Sequence, residues 1–413
     1  RMQMMYAWKP KAGDIELRYV ARRPGEATFL IWRVTPHGPV PSIARISPLI
    51  GWYERETTDL FGLSFADHPE PNRLVLHSGV HPVLPPLDPA YPPDTPMRYE
   101  ESDGEALEVV GPDVQQLPFG PIRADVVESV ELLFYYVGEH ILHFYPRLFF
   151  KHRGMEKRFE GLAPDAGVVL AERVSGVGTF AHALAYCQAV ERASGAEVPP
   201  RALMLRSLLA ELERIYNHLH YLGHLADTTT LKVGNAEGKL LEERAKQINA
   251  RLTGSRFLRS LLTPGGLRRD LDPKPWLGEA LEALRRQVAR YTRMLEATNS
   301  HLDRLITTGI LAKDVAFDQG ATGPVERASG VDHDLRRDHP YAGYAGLEFA
   351  VPVQEAGDAH AREQVRIAEL IESIAMIQRI LVLLPDGPVV ADLDAPPAGT
   401  EALGWAGSPR GSL

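Results

Sequence analysis

Leucines between residues 201 and 228 constrain this chain more than any other feature. In RALMLRSLLAELERIYNHLHYLGHLADT, residues Leu205, Leu208, Leu209, Leu212, Ile215, Leu219 and Leu222 recur every three or four positions. That spacing places them on one broad face of a long helix. A face so wide has to be buried against other helices. Three more stretches have the same character: KLLEERAKQINARLTGSRFLRSLL, ended by PGGL, then EALEALRRQVARYTRMLEATNSHLDRLITTGIL, then HAREQVRIAELIESIAMIQRILVLL. Four long amphipathic helices predict a bundle.

Ahead of the bundle the pattern changes period. IELRYV and ATFLIWRV, within residues 14–35, are β-branched or aromatic and are separated by the turn-like RRPGE, so they read as strands. A short helix is expected near Trp52–Phe61. Residues 77–100 hold HPVLPPLDPAYPPDTP, which favours extended backbone and excludes helix. A domain boundary is expected there, the stretch serving as a linker or as a strap over a partner. Residues 106–150 read as strands again, with turns at GPD and VGEH, and the helical pattern begins at 151. The fold class is therefore α+β: a small N-terminal α/β domain over 1–100, then a β-edged domain built on a long-helix bundle over 101–413. Both ends read as cut.

The 413 residues are 44% hydrophobic, enough for one large core and a smaller one, and the 24% charged residues argue against wholesale disorder. A net charge of −9 argues against a nucleic-acid partner, which needs a concentrated basic surface. No run approaches the roughly 20 uninterrupted apolar residues of a membrane span. The single cysteine, Cys187, excludes an internal disulfide and any Cys-rich metal site, and its helical setting reads as that of a buried structural thiol.

No nucleotide loop is present. SGVGTF at 175–180 lacks the third glycine of a dinucleotide fingerprint, and GNAEGKL carries only a weak hint. The fifteen histidines include no HExxH. His218 and His220, two apart on a helix, do not share a face, and most of the histidines are expected to cap, to meet solvent or to edge the core. Three segments concentrate charge. PFGPIRAD (118–125) presents Arg123 and Asp125. KHRGMEKRFEG (151–161) carries His152, Arg153 and Glu156. TGPVERASGVDHDLRRDHPY (322–341) carries Arg327, Asp334 and Arg336. Such glycine-rich charged loops inside a core-forming domain mark either a site or interface, or a solvated surface.

At this point the chain resembles known families. GWYERETTDLFGLSFADHPEPNRLVLH (51–77) is similar to the signature of the small hydrophilic 30 kDa-type subunit of NADH:quinone oxidoreductase, through Trp52, Glu54, Arg55, Glu56, Asp59, Phe61, Gly62, His68, Pro69 and Arg73. Residues 118–413 resemble the 49 kDa-type quinone-site subunit of complex I, and still more the large subunit of membrane-bound, energy-converting nickel–iron hydrogenases. PFGPIRAD, FKHRGMEKRFEG, ERVSGVGTFAHALAYCQAVE, LLAELERIYNHLHYLG, LTPGG, TGPVERASGVDHDLR and LPDGPV carry that likeness. Fusion of both units in one chain resembles the large subunit of formate hydrogenlyase-type complexes.

The resemblance implies a site and also its alteration. Catalytic members carry a CxxC pair where this chain has Ser175 and Gly178, and a hydroxyl and a bare α-carbon do not replace thiolates on a soft metal. Their second pair lies beyond a segment like WAGSPRG (405–411). Hydrogenase chemistry is therefore not expected, and neither is a directly bound metal. In the complex I subunit a histidine-bearing loop helps hold the quinone headgroup. Arg123 stands near that place here, and the tyrosine of that site has no secure counterpart. The family implies a neighbouring small subunit with a [4Fe–4S] cluster, other peripheral-arm subunits and antiporter-like membrane subunits. The chain would lie peripherally on the cytoplasmic side of the membrane. Arg153 and Arg173 are the residues expected to face the partner's cluster.

Two readings of function stay open. In the first the chain frames a quinone-like or other acceptor site, with Arg123, Asp125, Glu172, Arg173, His182 and the 322–337 loop as its residues. In the second it is a structural or coupling subunit without a substrate of its own. A true hydrogenase is the least favoured reading.

Overall fold

The computed structural model describes residues 1–10, 13–23, 28–77, 79–92, 96–100, 109, 111–121 and 129–413. Arg123 and Asp125 lie outside the described residues. Two compact units are present, residues 1–160 and 161–413.

The first unit opens with an antiparallel sheet in the order β1 (Met2–Trp8), β2 (Glu16–Arg22), β3 (Phe29–Val34). β2 and β3 are the two strands expected from the sequence; β1 lies outside the stretch read as strand. Met5, Leu17, Tyr19, Val40 and Ile50 form the small core beneath the sheet. Ile50 belongs to α1 (Pro48–Phe61), which has proline in its first turn and ends on Gly62 in the left-handed region. The short strands β4 (Val40–Pro41) and β5 (Phe65–Ala66) pair in parallel, and β6 (Val80–His81) and β7 (Arg98–Tyr99) pair antiparallel.

Signature residues of α1 organise the irregular chain that follows. The fully buried Glu54 carboxylate accepts from the Ser42 hydroxyl at 2.5 Å and the Ile43 N–H at 2.9 Å. One oxygen of Asp59 accepts the successive N–H groups of Leu74, Val75 and Leu76 at 2.8–3.0 Å. Arg55 donates to the carbonyls of Asn72 and Arg73. These residues satisfy backbone groups that a segment without regular structure would otherwise leave unpaired.

A second sheet, β8 (Gln115–Phe119), β9 (Glu131–Val137) and β10 (His140–Arg147), also belongs to this unit. The first compact unit therefore runs on through Glu160. Side chains tie the segment after this sheet to the residues before it. Phe149 packs against Trp52, Phe150 stacks on His77 with ring centroids 4.0 Å apart, and Lys157 donates to the Asp88 carbonyl at 3.1 Å. The short helix α2 (Met155–Phe159) closes the unit.

In the second unit α3 (Pro164–Ala171) and α4 (Thr179–Ser194) lead into the bundle helices α5 (Pro200–Thr228) and α6 (Lys232–Thr253). The four bundle helices are α5, α6, α7 (Trp276–Glu296) and, later in the chain, Ala359–Leu383. α5 and α6 approach so closely that a Cβ on Gly238 would lie 2.6 Å from Gly223 Cα, which accounts for the glycines of GNAEGKL without a nucleotide. α6 ends at Thr253, capped by Gly254 with φ 72°, nine residues before the end of the pattern that suggested it. The third long pattern is two helices, because the chain leaves helical geometry at Thr298 before α8 (Asn299–Leu305).

Between α6 and α7, β11 (Leu262–Thr263) and β12 (Gly266–Leu267) make a tight hairpin. Leu267 N–H donates to the Val389 carbonyl at 2.8 Å and Ala391 N–H to the Gly265 carbonyl at 3.0 Å, so LTPGG and LPDGPV are two halves of one backbone pairing. Short helices α9 (Lys313–Asp318), α10 (Gly323–Ala328) and α11 (Leu335–Asp338) precede α12 (Ala359–Leu383), whose N-cap Asp358 accepts from Ala361 N–H at 2.7 Å. A last hairpin, β13 (Gly407–Ser408) and β14 (Gly411–Ser412), follows. Among the described residues no helix is long and apolar enough to cross a membrane.

Candidate functional site

α5 is enclosed on every side through its middle. Its leucine face is fully buried as expected, but Glu211, Glu213, Arg214, Asn217 and His218 on its other faces are no more than 5% exposed. Buried charge is tolerated only when paired, and the partners come from segments far away in the chain.

Glu211 is a hub. It accepts from Arg336 at 3.0 and 3.2 Å, from the Tyr344 hydroxyl at 2.5 Å and from the Ser373 hydroxyl at 2.6 Å, with Arg214 Nε at 3.3 Å. Asp334 caps α11 by accepting Arg336 N–H, and it also accepts Arg336 Nε at 3.0 Å and Nη2 at 2.7 Å. Arg327 lies 3.5 Å from Asp334, donates to the His333 carbonyl at 2.8 Å and donates to Glu369. Glu369 also meets His218 at 2.7 Å and Arg214 at 3.6 Å. Three carboxylates thus face three guanidiniums in the interior.

Burial alone would raise the Glu211 carboxyl, but Arg336 and Arg214, with the two hydroxyl donors, outweigh it and hold the group below its ordinary range. Burial opposes ionisation of Asp334 as well, and Arg336 and Arg327 overcome it, keeping that carboxyl well below the usual range. Burial and then the flanking Arg366, Arg214, Arg336 and Arg327 push His218 well down, so the imidazole is neutral and donates Nε2–H to Glu369. His218 is therefore not the solvent, capping or core-edge histidine expected for most of them. The 322–337 loop is divided: Arg327, Asp334 and Arg336 are 2–4% exposed and belong to the interior, whereas Asp332 and Arg337 pair with each other at the surface.

The loop between α3 and α4 hangs on the same helix. Asn217 donates to the Val177 carbonyl at 2.8 Å and the Tyr216 hydroxyl donates to it at 3.3 Å. Glu213 accepts the Phe180 and Ala181 N–H groups at 2.7 and 3.0 Å, capping the first turn of α4. Burial, against those two bonds and Arg214, pushes the Glu213 carboxyl up to about 7. A Cβ on Gly178 would lie 3.9 Å from Ser175 Oγ and 3.6 Å from the His182 ring, so Ser175, Gly178 and His182 converge. Glu172 is buried and accepts Ser260 N–H at 2.6 Å; burial raises its carboxyl, in part offset by that bond and by Arg173. Arg173 stands 3.8 Å from Glu172 with its side chain half exposed.

This loop does not fit a nickel–iron centre. Such a centre needs soft thiolate donors, and Ser175 and Gly178 supply none. Cys187 is fully buried on α4, and burial pushes its thiol up to about 12, so it stays neutral.

In the first unit His152 and Glu156 are exposed and meet the half-buried Glu56, with ligating atoms of all three within 4.8 Å of one another. Burial, then Glu156 and Asp59, push Glu56 up to about 7. His152 Nδ1 already accepts Gly154 N–H at 3.3 Å. Arg153 is exposed in this unit and Arg173 lies in the other.

The sequence offers only one signal for the buried α5 residues. Glu211, Arg214 and His218 recur at helical spacing beside the leucines, where a merely amphipathic helix would meet solvent.

Residues 2–96 match the family described as respiratory-chain NADH dehydrogenase, 30 Kd subunit, and residues 240–401 match its 49 Kd subunit. Residues 153–251 match nickel-dependent hydrogenase. Formate hydrogenlyase subunit 5 of Escherichia coli (strain K12) is 33% identical over 383 residues, covering 90% of this chain and 66% of that protein. The C/D subunit of NADH-quinone oxidoreductase from Cereibacter sphaeroides (strain KD131 / KCTC 12085) is 32% identical, covering 88% of this chain and 66% of that protein. The chain thus spans just under two thirds of the length of these curated relatives. Among solved structures, the membrane-bound sulfane sulfur reductase, an archaeal respiratory membrane complex, has a chain that superposes with a TM-score of 0.66 at 28% identity, covering 73% of this chain and 83% of that one. The chain belongs to the family in which a 30 Kd-type domain is fused to a 49 Kd-type domain related to nickel-dependent hydrogenases.

Proposed function

We propose that this chain is a peripheral subunit of a membrane-associated, respiratory-type oxidoreductase complex, and that it frames an acceptor site beside an iron–sulfur cluster held by a partner. The observation that carries the reading is the loop from Val174 to Gly178. Its supports on α5 are all present (Glu213, Tyr216 and Asn217), yet the two positions that converge there are Ser175 and Gly178. A frame kept without its thiolates suits a small polar acceptor, such as a quinone headgroup, better than a soft metal. Glu172, Arg173 and His182 are the groups of this loop that could donate to or orient such a molecule, with Arg123 and Asp125 proposed from the sequence. Arg153 and Arg173 are proposed to face the partner's cluster, where a guanidinium stabilises the reduced state. The proposed location is the cytoplasmic face of the membrane, against antiporter-like subunits.

A second reading, coupling without a substrate, is favoured by the closure of the interior network. The cavity bounded by Arg214, Arg327, Asp334 and Gly411 is only about 10 Å³, the size of a single water.

The test is elemental analysis of the full-length gene product purified with its native partners. Iron without nickel is the expected result. Stoichiometric nickel would overturn the non-hydrogenase reading.

A further inference from the structure

Away from the α5 network, α6 and α7 enclose an open groove of about 290 Å³. Its α6 wall carries Arg244, Gln247, Ile248 and Arg251, at the spacing of one helix face. Its α7 wall is Trp276, then the small Ala280 and Ala283 that leave the floor open, then Gln287. Arg244 donates to the Gln287 side-chain carbonyl, and Arg251 lies over the Trp276 ring at 4.0 Å. Among the described residues neither arginine forms an ion pair, although Glu237 of α6 pairs with Arg290 of α7, Glu282 pairs with Arg285 within α7, and Glu243 of α6 pairs with Arg256 just beyond that helix. Those three acids are thus committed to other arginines, in a chain whose net charge is −9.

Seven residues of helix separate the two guanidiniums, about 10 Å along the axis. A single small anion can reach only one of them. A ligand that satisfies both is elongated, negative at two points about 10 Å apart, and apolar between them where it crosses the alanines. We propose that this groove docks an acidic peptide segment of a partner subunit, with two carboxylates on Arg244 and Arg251 and an apolar side chain on Ala280 and Ala283. The Trp276 ring beneath Arg251, 4.0 Å away, adds a cation–π contact that holds the guanidinium at the groove wall. The volume suits two or three side chains, the size of a local anchor within a larger interface. This inference rests on the reading of the chain as one subunit of a larger complex.

The test places a photocrosslinking amino acid at Gln247 in the full-length chain and irradiates the complex purified with its partners. The expected product joins Gln247 to a partner peptide carrying two acidic residues. Arg244→Glu with Arg251→Glu should lower its yield about tenfold, as like-charge contacts do, and exchanging the peptide's two acids for lysine should restore it. Circular dichroism of the double variant checks that the helices are kept. Crosslinking to lipid, to this chain itself or to a neutral or basic peptide would overturn the proposal, as would a yield indifferent to charge reversal. If the partners are present and no product forms, the groove proposal fails while the subunit reading stands. A chain that purifies alone overturns both.

Discussion

Glu211 and Arg336 stand 125 residues apart in the chain and meet in its interior, with one guanidinium nitrogen 3.0 and 3.2 Å from the two carboxylate oxygens. Around them three acids balance three arginines. Replacing Arg336 with methionine strips the buried carboxylates of Glu211 and Asp334 of their shared guanidinium. The expected loss is about 3–5 kcal/mol, the range for breaking a buried ion pair on one side. Urea unfolding followed by tryptophan fluorescence measures it. A loss under about 1 kcal/mol, the scale of an exposed pair, would show that the network is hydrated.

Gly238→Ala should destabilise the bundle by about 1–3 kcal/mol through overpacking, because the new methyl meets the Gly223 backbone. Gly176→Ala, where an added Cβ finds nothing within 4 Å, should change stability by no more than about 0.5 kcal/mol. Thermal melting of the two variants side by side gives the comparison.

Glu213 supplies a pH dependence. Its folded pKa is about 7, above the ordinary carboxyl value near 4.5. The folded state therefore binds the proton more tightly than the unfolded state does. Its contribution to stability is full below pH 4.5 and is lost as pH rises toward 7. Across that window the wild type should lose stability relative to Glu213→Gln, which cannot ionise. Melting temperatures of both proteins from about pH 4.5 to about pH 7.5 test this; parallel curves would mean that the carboxyl is ionised throughout.

Cys187 should not react with a disulfide reagent in the native protein at about pH 8, since its thiol titrates near 12 and no part of it is exposed. Full reaction is expected only in denaturant, and colorimetric thiol titration distinguishes the two states.

How much of this was legible beforehand depended on the range of the interactions. Local periodicity identified α5, α6 and α12, and short runs of strand-forming residues identified β2, β3, β9 and β10, although β3 and β10 are largely exposed. It overran at α6, where apolar residues continue past Gly254 although the chain turns there. It also missed the break at Thr298, which has no glycine or proline to mark it. Ser175 and Gly178 could be placed by resemblance, and the structure adds that they converge. Arg327, Asp334 and Arg336 were visible as a charged loop but not as an interior cluster, because their partners Glu211 and Glu369 lie on two other helices. Glu213 gave no sign at all: its role depends on two backbone N–H groups more than thirty residues upstream.

The turn at Gly265 and Gly266 has a consequence for chain continuity. It is gripped from three directions: by Glu191 through Gly265 N–H, by Arg206 through the Thr263 and Gly266 carbonyls, and by the backbone of Val389 and Ala391. Residues 267–388 are thereby a lasso whose neck is tied without a covalent bond. A protease that nicks the exposed stretch around residues 398–401 leaves that knot tied, and the piece beyond the cut stays held by Arg192 through the Leu403 carbonyl, Gln188 through the Trp405 carbonyl and Arg214 through the Gly407 carbonyl. The severed ends should stay together as one particle on a sizing column and come apart only in denaturant.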